Sequence, residues 1–333
     1  LDINKNKDNK DREKIMCWVS SQIEKHTNFY TTLTEIDKKF LHRVNSSEVF
    51  LLQCFQEENN KYIAKSIIPK NHQYFADHYE TETLDFIFLL ECARQAETYI
   101  AHAYYNIPLS SKFILNSWSF KNIKNHYLSS HNNELLMEVV ISETKKIKEI
   151  VYKQNYAVNI YSNKKLICHI QMNVSYVPNE KYQKIRPNSD LGISNFNIIK
   201  SSTRNINNIV SPHLLSMTRN ENVVISCPDF SNETLSALLN VDFNNISFFD
   251  HQQDHYPAML LMEAGRQMCA LYFNTTQKTC LLNPRNIQST FFNYTEFDSK
   301  VNIFARKKIN DINQIDIEFI QQEKLTARLN FLF

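Results

Sequence analysis

Residues 88–96 read F-L-L-E-C-A-R-Q-A and residues 260–268 read L-L-M-E-A-G-R-Q-M, so one apolar segment carrying an acid and an arginine is written twice. Glu91, Arg94 and Gln95 thereby match Glu263, Arg266 and Gln267. Upstream, L-H-R-V-N-S-S-E-V-F-L-L at 41–52 has a counterpart in M-T-R-N-E-N-V-V-I-S at 217–226. Aligning Val49 with Val223 leaves 42 residues to the first Glu and 40 to the second. Recurrence of both order and spacing marks an internal duplication, which restricts the chain to two similar units. The 333 residues suffice for two domains, each with its own core.

Each copy has the same grammar. Residues 84–105 and 257–273 are apolar almost all round, as in helices enclosed by protein. Over 165–176, Leu166, Cys168, Ile170, Met172, Val174 and Tyr176 alternate with polar residues, and 324–333 alternates in the same way. Period two over such lengths indicates antiparallel strands with one solvated face. Residues 134–141, 301–306 and 315–320 read as further strands. One long buried helix wrapped by a curved antiparallel sheet is the hotdog arrangement, so the expected fold is α+β, a tandem (double) hotdog. The expected division is a partly disordered lead-in over 1–35, a first hotdog domain over 36–177, a polar linker over 178–216 and a second hotdog domain over 217–333.

Composition removes several function classes. The formal net charge is +2, and Lys and Arg are interleaved with acids, unlike the basic stripe of a nucleic-acid binder. Gly192 and Gly265 are the only glycines, too few for a Rossmann fingerprint or a P-loop. No run approaches the ~20 apolar residues of a membrane span. The seven cysteines are dispersed without a C-x-x-C pair and sit mostly in apolar runs. This usage favours reduced thiols and a cytoplasmic setting.

The marked residues resemble the A-factor biosynthesis hotdog family of γ-butyrolactone signalling pathways. One stretch runs from H-R-V-N-S-S-E-V-F (42–50) through His72 to L-D-F-I-F-L-L-E-C-A-R-Q-A (84–96), His102 and N-I-P-L (106–109). The other is R-N-E-N-V-V-I (219–225) followed by F-F-D-H-Q-Q-D-H-Y-P-A-M-L-L-M-E-A-G-R-Q (248–267). The family pattern there is D-H-x-x-D-H-x-P-G-M-x-x-x-E-A-x-R-Q. The resemblance implies a double hotdog that condenses a β-ketoacyl group, delivered on acyl carrier protein, with the hydroxyl of dihydroxyacetone phosphate. The ester would then close to a butenolide phosphate, with no metal or organic cofactor implied. Ala258 departs from the family's glycine, but it keeps the backbone N–H that a helix N-terminus aims at an oxyanion.

On this reading Glu263, with its pKa raised by burial, is the expected general base, and Arg266, three residues on, the expected phosphate ligand. Glu91 and Arg94 are the same pair in the first half, with the second half expected to dominate because its approach loop is richer in acid/base groups. His251 or His255 would face the thioester as acid/base or oxyanion donor. Asp254, Ala258, Gln267, Gln95 and His72 complete the expected substrate contacts. The spacing H-x-x-D-H offers metal-ligand types, but no further Cys or His converges in sequence to complete a shell. Arg43 and Arg219 read as surface charges, and Asp85 as the cap of the first helix. The alternatives are a hotdog 3-hydroxyacyl-thioester dehydratase or thioesterase, with His251 and Glu263 in those roles, and a non-catalytic acyl-thioester-binding protein.

Overall fold

The computed structural model describes residues 36–78, 84–123, 133–277, 283–308 and 311–333. The expected lead-in over 1–35, Cys17 and Cys280 lie outside them. Twelve antiparallel strands form one sheet, in the order β1-β2-β4-β5-β6-β3-β9-β12-β11-β10-β8-β7. The first half supplies β1 (Leu51–Glu58), β2 (Lys61–Ile67), β3 (Lys112–Asn122), β4 (Glu134–Ile147), β5 (Ile150–Ser162) and β6 (Lys165–Val177). The second supplies β7 (Ile225–Ser231), β8 (Thr234–Leu239), β9 (Asn286–Phe291), β10 (Asn302–Lys308), β11 (Asp311–Gln321) and β12 (Lys324–Leu332). Each half has the same strand order, and the two meet where β3 pairs with β9, Trp118 opposite Ser289. The two wrapped sheets expected from the repeat are thus one continuous sheet.

Each half encloses one helix, α1 (Phe86–Ala103) and, after the linker helices, α4 (Ala258–Gln277). Asp85 caps α1 by accepting from the Ile87 N–H at 2.7 Å, as its position predicts. Only Arg94, Tyr99 and Ala103 of α1 escape burial, and α4 is buried without interruption from Leu260 to Phe273. Such helices carry apolar side chains all round because sheet lies on one side and loops on the other. At Gly265 α4 packs tightly on the sheet: a methyl there would stand 2.5 Å from Leu329 Cδ1.

The linker is not featureless. It folds into α2 (Asn179–Ile185) and α3 (Ser189–Ser201), each anchored by one buried aromatic, Tyr182 and Phe196. Phe196 packs against Phe243, Phe249 and Phe297 of the second half. Among the described residues, no helix is long and apolar enough to cross a membrane.

Candidate active site

The repeated motif does the same structural work in both halves. Gln95 Oε1 accepts from the N–H groups of Phe50 and Leu51 while its amide donates to Glu48 O at 2.8 Å. Gln267 accepts from Val224 N–H and donates to Asn222 O at 2.8 Å. Each glutamine therefore latches its helix to the chain entering the first strand of its own half. The same registration superimposes the preceding 3₁₀ turns, Lys38–Leu41 and Pro212–Leu215. His42 and Ser216 end these turns in the left-handed conformation, at φ 51° and 55°.

The halves also exchange arms. Asp250, from the second half, accepts from Val44 N–H at 2.6 Å and Asn45 N–H at 2.8 Å in the first. Asp77, from the first half, accepts from Thr218 N–H at 3.0 Å and Arg219 N–H at 3.2 Å in the second. The residue after each aspartate is a histidine, so His251 is delivered to the first-half motif and His78 to the second. His78 Nδ1 lies 3.4 Å from Arg266 Nη1, and its Nε2 binds Asp85 at 2.8 Å.

The first-half motif opens onto a cleft of about 670 Å³ lined by His42, Arg43, Lys112, His251, Asp254 and His255, among others. Glu91 sits behind it with two arginines on its carboxylate. Arg43 Nη2 is 2.6 Å from Oε1, and Arg94 donates from Nε to Oε2 at 2.8 Å and from Nη2 to Oε1 at 2.7 Å. Burial alone would raise the Glu91 pKa, but the Arg43 and Arg94 charges outweigh it and hold the value at about 2. Arg43 Nε and His251 Nδ1 are both buried without a hydrogen-bond partner. Gln253 turns its amide nitrogen to His251 Nε2 at 2.8 Å, which makes Nε2 the acceptor and leaves the ring proton on Nδ1. Burial, then Arg43 and Arg94, bring the His251 pKa down to about 4, so the ring is neutral at physiological pH.

Among the described residues the second-half motif is closed. Glu263 Oε1 accepts from Arg266 Nη2 at 2.6 Å and Gln267 Nε2 at 2.5 Å; Oε2 accepts from Arg266 Nε at 2.9 Å and the Tyr74 hydroxyl at 2.6 Å. Where Arg43 stands in the first half, the second has Met217, whose sulfur faces Arg266 and Gln267 at 3.8 and 3.7 Å. Glu263 is 0% exposed and Arg266 3%. Neither lines the cleft.

The sequence model of the A-factor biosynthesis hotdog domain matches residues 25–178 and again 199–332. The chain belongs to this family. It is 21% identical over 266 residues to the 2-oxo-3-(phosphooxy)propyl 3-oxoalkanoate synthase of Streptomyces virginiae, covering 79% of this chain and 84% of that one. It is 23% identical over 271 residues to a synthase of the same name from Streptomyces coelicolor, covering 80% and 81%. Among solved structures, the dehydratase domain from the CurK module of curacin polyketide synthase aligns at TM-score 0.49 and 12% identity, over 87% of this chain and 97% of that domain.

In this A-factor biosynthesis hotdog chain the expected site residues divide into four groups. His251, His255 and Asp254 line the first-half cleft, with Glu91 and Arg94 behind it. Glu263, Arg266 and Gln267 form the closed counterpart. Gln95 is a latch, and Ala258 opens α4 without lining the cleft. His72 stands apart: Nε2 lies 3.0 Å from Glu48, while Nδ1 accepts from the Tyr74 and Phe75 N–H groups. Asp254 is held by Tyr182 at 2.7 Å, Arg186 at 3.0 Å and His255 at 2.6 Å. Despite burial, these partners push its pKa well below the usual carboxylate range. Arg219 is exposed and pairs with Glu221, as a surface charge does. Arg43 does not; its side chain is 11% exposed and reaches Glu91. Sequence reasoning also passed over Asp250, Asp77, His78, Tyr74, Tyr182 and Arg186. A signal existed for three of them, Asp77, His78 and Asp250, because the dipeptide Asp-His recurs 14 residues before Glu91 and 13 before Glu263.

Proposed function

We propose that the chain transfers a β-ketoacyl group from an acyl carrier protein thioester to a hydroxyl of dihydroxyacetone phosphate, in the cytoplasm, using the cleft of the first half. The names of its relatives describe that ester: a 2-oxo-3-(phosphooxy)propyl group joined to a 3-oxoalkanoate. The observation that carries the reading is the pair of buried, unsatisfied donors, Arg43 Nε and His251 Nδ1–H, on two residues that line one cleft. Buried donors without acceptors are costly, and a phosphate and a carbonyl oxygen supply what they lack. Arg43 binds the acceptor phosphate, with Arg94 behind it and Lys112 at the mouth; a planar guanidinium suits phosphate oxygens. Glu91 acts by fixing the two guanidinium groups. Held ionised at about 2 by two arginines, it is a poor proton acceptor at neutral pH. His251 donates from Nδ1 to the thioester oxygen as negative charge develops there.

The test is acyl transfer from a β-ketoacyl carrier protein at varied dihydroxyacetone phosphate, with products identified by mass. Arg43→Met, the residue of the second half, is expected to raise the acceptor KM roughly 10–100-fold, the cost of a charged hydrogen bond. Hydrolysis or dehydration of the donor at a rate independent of dihydroxyacetone phosphate would overturn the proposal.

A further inference from the structure

At the cleft, His42 has its proton fixed by a second imidazole, through a chain of hydrogen bonds leading away into the first half. His102 Nδ1 lies 2.6 Å from Ile107 O, and a carbonyl only accepts, so this nitrogen carries the proton. Burial lowers the His102 pKa and keeps the ring neutral, which leaves Nε2 as an acceptor. His42 Nε2 lies 2.8 Å from it and is therefore the donor. The remaining His42 nitrogen, Nδ1, keeps its lone pair. Phe113 packs edge to face on the ring, centroids 4.8 Å apart, and also touches the His102 ring at 4.9 Å; His42 lines the cleft beside Arg43. Its left-handed backbone aims a side chain that the second half replaces with Ser216. The partner is replaced as well: Asn274 stands eleven positions past Glu263, as His102 stands past Glu91.

We propose that His42 Nδ1 is the general base of the acyl transfer, held in its tautomer by His102, and that it works opposite His251 as donor. The inference rests on the acyl-transfer reading above and assigns its proton path. The acceptor hydroxyl gives its proton to His42 Nδ1 as its oxygen bonds to the thioester carbon, placing negative charge on the oxygen that His251 Nδ1–H faces. When the intermediate collapses the C–S bond breaks, and the departing thiolate takes the proton back from His42. Ester and thiol leave, and no proton is gained or lost.

The charges around the ring add a control. In the free protein burial, His102, Arg94, His251 and Lys112 together hold the His42 pKa at about 3, and Arg43 is adjacent in sequence. A base that weak is inefficient near neutrality. A phosphate dianion bound among Arg43, Arg94 and Lys112 offsets these positive charges, so the acceptor itself strengthens the base that activates it.

The experiment is ¹⁵N-imidazole NMR of the full chain, with and without dihydroxyacetone phosphate, beside kinetics of His42→Asn and His102→Asn. Asn tolerates the left-handed backbone at position 42. Expected are an Nε2–H tautomer for His42, a titration midpoint that rises on adding dihydroxyacetone phosphate, and a kcat lower by about 10²–10⁴-fold in His42→Asn with acceptor KM little changed. Exogenous imidazole should restore part of the His42→Asn rate. His102→Asn should lower kcat less and scramble the His42 tautomer. A merely structural His42 would give folded variants with wild-type kcat, or a midpoint indifferent to dihydroxyacetone phosphate, and either result overturns the inference. If Arg43→Met raises the acceptor KM while His42→Asn keeps kcat, only the assignment of the base fails. If neither variant changes transfer, the first-half site itself fails.

Discussion

The two halves carry the same five-residue motif, yet among the described residues one stands behind a cleft and the other is packed into core. In both, glutamate and arginine pair three residues apart on a buried helix and glutamine latches the helix to the incoming chain. The differences lie in what reaches the pair from outside. In the first half Arg43 adds a second cation and the arm from the other half brings His251. In the second, Met217 removes the cation and Tyr74 takes the remaining carboxylate position. The motif supplies a buried carboxylate, and on our proposal the residues contributed from elsewhere decide whether it organises a ligand site or only stabilises the fold.

The glutamine substitutions should break this symmetry most visibly. Glu263→Gln removes one partner of a buried ion pair and is expected to cost about 3–5 kcal/mol of stability. The fraction that remains folded should turn over normally. Glu91→Gln should also destabilise, since Glu91 is buried and paired with Arg43 and Arg94, but the fraction that remains folded should in addition show acyl transfer lowered by roughly 10²-fold, because the arginines lose their organiser. Thermal unfolding and initial rates on the same preparations separate the two outcomes, and the reverse pattern would place catalysis in the second half.

Tyr74→Phe sharpens the comparison by deleting only the hydroxyl that closes the second site. A hydrogen bond to a charged group is worth roughly 1.5–3 kcal/mol, so the melting temperature should fall while kcat and KM stay at wild-type values. A drop in kcat would mean the closed site contributes to turnover.

A smaller effect is expected at the linker. Gly192 of α3 lies so close to the Asp254 carbonyl that a methyl at this position would overlap it. Arg186 binds the same aspartate and stacks on Tyr294 at 4.0 Å, so the linker grips the loop that carries His251. Gly192→Ala should move that loop and lower kcat about tenfold, as misplacement of a catalytic group does. Unchanged kinetics would show that the loop keeps its place without the linker.

The pH dependence is the mildest discriminator. His42 and His251 have folded pKa values of about 3 and about 4, below the unfolded value of 6.5. The unfolded chain therefore binds their protons first. Their contribution to stability is complete above pH 6.5 and lost progressively as the pH falls toward 3. Glu91, depressed from 4.5 to about 2, loses its contribution only below pH 4.5. Chemical denaturation between pH 7 and 4 should show a falling stability that the double variant His42→Asn/His251→Asn flattens. An unchanged slope would contradict the neutral, buried state of these rings.

Much of this architecture was legible because it repeats. Period-two alternation gave the strands over 165–176 and 324–333, and all-round apolarity gave both helices, because burial on every side imposes that pattern. The hairpins were harder to read. Lys148-Glu149, Asn163-Lys164, Asn232-Glu233 and Gln322-Glu323 all turn with both residues at positive φ, a conformation usually signalled by Asn-Gly or Asp-Gly. Gly192 and Gly265 are the chain's only glycines, and close approach fixes both elsewhere. The linker helices were hidden because one buried aromatic each, Tyr182 and Phe196, leaves little periodicity in a polar stretch. The site was legible only in part. Glu91 and Glu263 announce themselves in apolar helices, whereas Arg43 looks like any surface charge until the fold brings it to Glu91. Nothing in the linear order tells that the loop ahead of Glu263 serves the other half, since arm exchange is a property of the pseudo-twofold packing.

The central claim is that one half alone forms the acceptor site, and counting bound dihydroxyacetone phosphate tests it most directly. Calorimetric titration of the full chain should find one site per chain, lost in Arg43→Met and retained in Arg266→Lys. Two sites per chain, or a single site that survives Arg43→Met and disappears with Arg266→Lys, would contradict the account.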